Sequence, residues 1–244
     1  MALERQNFVA CYTALADAAP GGATLQQDGC FAFVTGLPLP MFNGCIVTRP
    51  DDPAGVDAAA AWLAQHDLPF SLWAPGGTQL DVDALAAEHG LAREEHPLPG
   101  MVLHPVPASP APPSDLGVER LRAGREADFA QVVQAVGLGD DMAALLTSPA
   151  FAQRDDVDLF VGYLDEAPVG TSIAISSAGA GGVVNVLTVE EARGRGIGTA
   201  LTWAAVQAGA ARGHNTVVLQ ATQMGLPVYR TMGFTTVVEY AEYA

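Results

Sequence analysis

The chain contains no lysine, and each of its 11 basic residues is an arginine. Against them stand 27 acids, for a net charge of −16. A basic face for nucleic acid is therefore missing, as is a polybasic patch for anionic lipid. The acids are spread along the whole chain rather than gathered in a tail, which leaves a cationic acceptor or a solubilising surface as their use. Charge as a whole is sparse at 16%, whereas half of the residues are hydrophobic, so the chain has ample material for a packed core. Cysteine is scarce too. Cys11, Cys30 and Cys45 are odd in number, lie in the first fifth of the 244 residues and fit neither a disulfide framework nor a zinc site. Buried free thiols in a reducing compartment are the expectation. No apolar run approaches the roughly 20 residues of a membrane helix, and Met1–Asn7 lacks the basic flank of a secretory leader. These absences predict a cytoplasmic protein without membrane or nucleic-acid partners.

Proline marks one seam. Residues 105–114 hold five prolines in ten positions, which can neither continue a helix nor sit inside a central strand. The segment reads as a stiff linker. The expected organisation is an α/β accessory domain over 1–105, a proline-rich linker over 106–116 and a second α/β domain over 117–244.

In the second part, the pattern predicts strands at 118–121, 157–164, 169–176, 183–189, 216–221 and 234–243. Helices are predicted at 126–136, 141–146 (capped by Asp140 or Asp141), 196–211 and 227–231. The buried stripe of the longest helix is expected to be Ile197, Leu201, Ala204, Ala205 and Ala208. Strand, helix, strand in succession implies a parallel crossover. The first hundred residues repeat this order, with strands at 30–35, 44–48, 70–74 and 101–103 and helices at 54–65 and 82–89. Even the glycine before the last strand recurs: His89-Gly90-Leu91 parallels Met232-Gly233-Phe234. An internal duplication is expected on order rather than residue identity.

The segment that carries chemistry is Val189-Glu190-Glu191-Ala192-Arg193-Gly194-Arg195-Gly196-Ile197-Gly198-Thr199. A strand runs out, turns through three glycines and enters a helix. Glycine admits close backbone approach, and the first amides of a helix lack internal partners and point outward with the positive end of the dipole. A diphosphate suits such a place. Two of the 11 arginines flank Gly194 there. The phosphate loop of nucleotide hydrolases needs Gly-Lys-Ser/Thr, which a chain without lysine cannot supply. The dinucleotide fingerprint would need a third glycine where Thr199 stands. A plain structural turn stays open.

Arg193, Gly196 and Gly198 match the Arg/Gln-x-x-Gly-x-Gly/Ala hallmark of the GNAT superfamily of N-acetyltransferases. Leu219-Gln220-Ala221 and Tyr229-Arg230-Thr231-Met232-Gly233-Phe234 follow at compatible spacing, and the resemblance extends over about 118–244. It implies a mixed, mostly antiparallel sheet with flanking helices, and acetyl-CoA as cosubstrate. Leu187, Thr188 and Val189 would lend backbone groups to the pantetheine arm. The amides of Arg195, Gly196, Ile197, Gly198 and Thr199 would hold the pyrophosphate, with Arg193 and Gly194 completing the loop. Tyr229 stands where the family often has its general acid. A phenol, with a pKa of about 10, stays protonated beside a thiol at about 8.5.

The chain departs from the family in two places. Many relatives carry a glutamate base on the strand before the loop, whereas here Asn185 is the polar side chain inside that strand. An amide can position a water or the acceptor but cannot take a proton from an ammonium. Asn185 is thus either a positioning group or a structural amide, and a base would come from Asp140, Asp141, Glu239 or a water chain. In addition, the family closes with two strands after its last helix, and this chain has one, so a strand from the N-terminal part is expected to fill the gap or that part to shape the acceptor cleft. The N-terminal part would be a degenerate relative: its loop Arg49-Pro50-Asp51-Asp52-Pro53 sets acids where a pyrophosphate would lie.

The five histidines share no metal-binding spacing, and no metal is expected. The implied activity is acetyl transfer to a primary amine of a small molecule or peptide by direct attack on the thioester. A non-catalytic acyl-CoA-binding module is the alternative, with another nucleotide-binding protein behind it. Assembly as a homodimer stays open.

Overall fold

A computed structural model describes residues 2–177 and 179–244. The chain opens with helix α1 (Ala2–Ala18), then β1 (Ala23–Gln27), β2 (Cys30–Val34), β3 (Asn43–Val47), α2 (Val56–Ala64), β4 (Ser71–Pro75), α3 (Val82–Glu88) and β5 (Leu98–Leu103). After an extended proline-rich stretch come β6 (Leu116–Arg120), α4 (Glu126–Ala135), α5 (Gly139–Thr147), α6 (Pro149–Ala152), β7 (Val157–Leu164), β8 (Ala167–Ser177) and β9 (Ala180–Thr188). The last elements are α7 (Ile197–Ala211), β10 (Val217–Gln220), α8 (Leu226–Thr231) and β11 (Thr235–Tyr243).

Among the described residues, eleven strands join one sheet in the order β1-β2-β3-β4-β11-β5-β10-β9-β8-β7-β6. Two pairings are parallel, β3 with β4 and β9 with β10, and each is spanned by a crossover helix, α2 or α7. The other pairings are antiparallel. The same series of strand, crossover helix, strand, short helix, strand therefore occurs twice, as the order of turn and apolar segments predicts.

The middle of the sheet joins the halves. Strand β5, from the N-terminal half, pairs with β10 on one side (Leu219 opposite Met101) and β11 on the other (Thr236 opposite Met101). Strand β11, the last of the chain, reaches past β5 to pair with β4, Glu242 opposite Trp73. Each half thus lends its final strand to the other. The strand missing from the C-terminal series is supplied by Leu98–Leu103. Met101 and Leu103 bury their side chains in the same apolar cluster as Trp203, Val206 and Leu219. Linker and sheet stand in contrast, since a proline-rich connection that looks like a domain seam is bridged by a continuous ladder.

Alternation along the strands sorts side chains onto two faces. Phe31, Phe33, Ile46, Trp73 and Tyr240 lie with Phe8 under α1, whereas Cys30, Ala32, Cys45, Val47 and Leu72 pack beneath α2. The three cysteines are buried and free. Helix α1, which periodicity also encodes through Asn7, Cys11, Ala14 and Ala18, was not among the predicted elements. It crosses the centre of the sheet and ties it together. Asn7 Nδ2 donates to Ile175 O and Ser177 Oγ, and the buried Glu4 accepts from Gln220 Nε2 at 2.7 Å and Tyr240 OH at 2.8 Å. Burial drives the Glu4 carboxyl above its ordinary pKa, partly offset by those two donors.

Two local expectations are corrected. Helix α5 begins at Gly139, capped by Leu138 without a side-chain bond, so Asp140 and Asp141 fall in its first turn, where a carboxylate complements the dipole rather than capping it. On α7, Ile197, Leu201 and Ala205 are buried as expected, but Ala204 and Ala208 are half-buried, and Trp203, Val206 and Gly209 face the sheet instead. Gly209 packs closely on Gly181, where an added Cβ on either would meet the other's Cα at 3.1–3.2 Å and crowd the helix against the strand.

Candidate active site

Strands β9 and β10 pair only at Gly181–Val217 and Gly182–Val218 and then separate, so the C-terminal half of β9 has an open edge. A one-residue bulge against β8, between the pairs Ile173–Val184 and Thr171–Leu187, bends β9 at this point. Asn185 sits in the bulge at φ +54°, a left-handed conformation in which asparagine is among the more tolerated side chains. Its Nδ2 is buried and finds no partner among the described residues. Leu187 and Thr188 close the strand, and Val189 leads into a short 3-10 turn over Glu190–Ala192.

The glycine loop follows. Gly194 (φ +76°) and Gly196 (φ +77°) adopt left-handed backbone that other side chains resist, and α7 starts at Ile197. Among the described residues, no group accepts a hydrogen bond from the amides of Gly194, Arg195, Gly196, Ile197, Gly198 or Thr199. The first helical bond runs from Ala200 N to Gly196 O. Six successive donors are thus free at the positive end of a 15-residue helix. Arg193 is exposed, whereas Arg195 pairs with Asp115 at the end of the linker at 2.6 Å, which lowers the Asp115 pKa. The linker so reaches the loop and occupies one of its two cations.

On the other side of the opening, Tyr229 lies in α8, its ring edge-on to Phe234 with centroids 5.9 Å apart. Gly225 makes room for that ring, because a Cβ there would meet Tyr229 Cε2 at 2.7 Å. Burial pushes the Tyr229 phenol up to about 12, the Thr202 hydroxyl beside it offsetting part of the rise. Below that pH it keeps its proton.

A cavity of about 630 Å³ opens from this point toward the N-terminal half. Asn185, Val186, Leu187 and Tyr229 line it, whereas Arg193–Thr199 lie outside it. The exposed carboxylates Asp140, Asp141 and Glu239 do not line it either. The carboxylates that do are Glu94, Glu95 and Glu242, joined by His96, and none of these was singled out from the sequence. Burial raises the Glu242 pKa above the ordinary carboxylate value, the Trp73 indole opposes this, and Glu94 adds to it. Glu242 comes from the exchanged strand β11 and Glu94 from the segment before β5, so only the paired halves assemble this wall.

Residues 134–234 match the Acetyltransferase (GNAT) family. This is the GNAT acetyltransferase fold, present twice. A GCN5-related N-acetyltransferase from Kribbella flavida superposes with a TM-score of 0.67 at 18% identity, covering 96% of this chain and 94% of that one. A tandem GNAT protein from the clavulanic acid biosynthesis pathway gives 0.60 at 15% identity, over 96% of this chain and 86% of that one. A GCN5-related N-acetyltransferase from Sphaerobacter thermophilus gives 0.61 at 19%, over 88% and 76%. Among curated proteins, none matches the chain in sequence. In GNAT terms, the loop at 193–199 belongs to the C-terminal copy. The equivalent N-terminal stretch, before α2, carries Arg49 bound to Asp28 and Asp52.

Proposed function

We propose that the chain is an acetyl-CoA-dependent N-acetyltransferase whose C-terminal copy (117–244) holds the cosubstrate and whose N-terminal copy (1–105), joined through 106–116, builds the acceptor wall. The observation that carries this reading is the run of six unpartnered amides from Gly194 to Thr199, set beside a strand with an open edge. The donor set fits a diphosphate, and the backbone of Leu187, Thr188 and Val189 fits an amide-bearing arm such as pantetheine. Acetyl-CoA supplies an activated acyl group as a thioester. Asn185 Nδ2 offers its free N–H to an oxygen at the reacting end. Tyr229 holds a proton for the departing sulfur, and its raised pKa keeps that proton in place at neutral pH. No arrangement here gives the base a single residue, and the amine loses its proton to a water chain or to the cavity carboxylates. No helix among the described residues is long and apolar enough to cross a membrane, and the cytoplasm, with its acetyl-CoA, is the compartment we assign.

Gly198→Asp tests the reading. An added Cβ would meet Thr188 Oγ1 first, at 3.7 Å, which is ordinary contact, so the fold should be kept. The carboxylate would stand among the six amides and repel a diphosphate. Acetyl-CoA-dependent thiol release with a panel of primary amines should be present in the parent and lost in the variant, together with CoA binding. CoA affinity unchanged by Gly198→Asp would defeat the proposal. CoA binding without thiol release from any amine would favour the acyl-CoA-binding module.

A further inference from the structure

The cavity's lining restricts what can be acetylated, an argument that rests on the acetyl-transfer reading above. Its wall includes Leu146, Met142, Phe151, Ile173, Ile175 and Val184, all apolar. Its far end is aromatic: Phe8, Tyr12 and Trp73 line it, with Tyr12 and Trp73 stacked at 5.7 Å and Phe8 edge-on to Trp73 at 5.9 Å. Met41 and Phe42 extend this wall, and Met41 is 44% exposed.

Three features of charge narrow the choice. First, among the described residues no arginine lines the cavity and the chain has no lysine, so His96 is the one lining side chain that can carry a positive charge. A carboxylate or phosphate on the acceptor would be taken from water without a fixed cation to pair with, which weakens its binding. Second, Glu94, Glu95 and Glu242 line the same cavity, which favours a cation. Third, beyond the neutral polar side chains of Asn185, Gln220, Thr222, Gln223 and the two tyrosines, the remaining wall is apolar. A molecule with several ammonium groups would have to dehydrate most of them against hydrocarbon.

One buried donor of the cavity, Asn185 Nδ2, is unpartnered among the described residues, whereas the Trp73 indole faces the Glu242 carboxylate on the neighbouring strand. Both Asn185 and Trp73 line the cavity, one from the C-terminal half and one from the N-terminal half. A neutral oxygen on the ligand would satisfy Asn185, and the Trp73 ring offers its face to a ring on the acceptor. Aromatic walls reward a ring through edge and offset stacking beyond simple burial.

We infer that the acceptor is a primary amine bearing one positive charge on an apolar, ring-containing body, an arylalkylamine, with no carboxylate or phosphate. Free amino acids and polyamines are poor acceptors.

The test uses the full-length protein with phenethylamine, L-phenylalanine and spermidine, each measured by calorimetric binding in the presence of CoA and by thiol release from acetyl-CoA. Phenethylamine and phenylalanine differ only by the carboxylate. Phenethylamine should bind about a hundredfold more tightly than phenylalanine, the cost of an unpaired buried anion. Phe42→Ala should weaken phenethylamine about tenfold through lost ring contact, leaving CoA affinity unchanged. Binding of phenylalanine or spermidine equal to or tighter than that of phenethylamine overturns the inference, as does absence of binding by phenethylamine. If spermidine alone is acetylated, the acceptor class falls and acetyl transfer stands. If phenethylamine binds in the stated ranking with no thiol released, the cavity inference stands and acetyl transfer falls.

Discussion

Met101→Ala probes whether the two halves are one folding unit. Met101 belongs by sequence to the N-terminal half, before the proline-rich stretch, yet it is 0% exposed in the cluster that surrounds Trp203 of α7. Truncating a fully buried methionine to alanine costs about 2–5 kcal/mol, because the cavity left behind is only partly refilled. Taking about 3 kcal/mol, and a urea dependence of about 3 kcal/mol per molar for a chain of this size, the midpoint should fall by about 1 M. The assay uses two reporters. One protein keeps Trp203 alone, with Trp62→Phe and Trp73→Phe; the other keeps Trp62 and Trp73, with Trp203→Phe. Fluorescence unfolding curves are recorded with and without Met101→Ala. Exchange of β5 and β11 predicts that both reporters shift together, because β5 pairs with β10 on one side and β11 on the other. If the N-terminal reporter moved and Trp203 did not, the halves would be independent domains and the reasoning would fail.

Further outcomes follow from the site and the helix that spans it. Tyr229→Phe should lower kcat by about 10²-fold or more while changing CoA affinity little. Because the phenol sits at about 12, its proton is present at all lower pH, so parent turnover should show no alkaline loss traceable to Tyr229 below pH 10. Unchanged kcat in the variant would strip Tyr229 of the role. Gly182→Ala would drive a Cβ into the side chain of Asn7, the residue that fastens α1 to β8, and should lower the melting temperature clearly; a melting curve matching the parent's would refute that packing. Glu4, whose folded pKa lies above its ordinary 4.5, holds its proton more firmly folded than unfolded. Its contribution to stability is therefore full below pH about 4.5 and is lost as pH rises through the folded pKa. Glu4→Gln should flatten the decline in melting temperature above pH 4.5, leaving the slope due to Glu242; parallel curves would count against it.

Several of these features could be read from residues and several could not, for physical reasons. The loop from Arg193 to Gly198 is local: glycines that turn the chain and amides that open a helix are neighbours in sequence. The crossover β9-α7-β10 is likewise written in consecutive segments. The strand exchange was visible only as a deficit, one strand too few after the last helix, because pairing partners such as Met101 and Leu219 lie more than a hundred residues apart. Helix α1 has the spacing of an amphipathic helix, but its buried face includes Glu4 and Asn7, polar residues that mask the stripe until Tyr240, Gln220 and Ser177 are seen opposite them. The cavity carboxylates were hidden for the same reason. Glu94 and Glu242 meet only because β11 runs back beside the segment before β5, whereas Asp140, a base candidate from the sequence, spends its carboxylate on Gln134.

The reciprocal loan of β5 and β11 also bears on how the protein responds to dilution. Two separate chains that traded last strands in this way would fall apart as concentration dropped, since each would have to find the other again. Here the extended stretch between Leu103 and Leu116 keeps the lender and the borrower on one polymer, and their meeting is unimolecular. The cavity wall that depends on both strands should then be as complete at nanomolar protein as at millimolar.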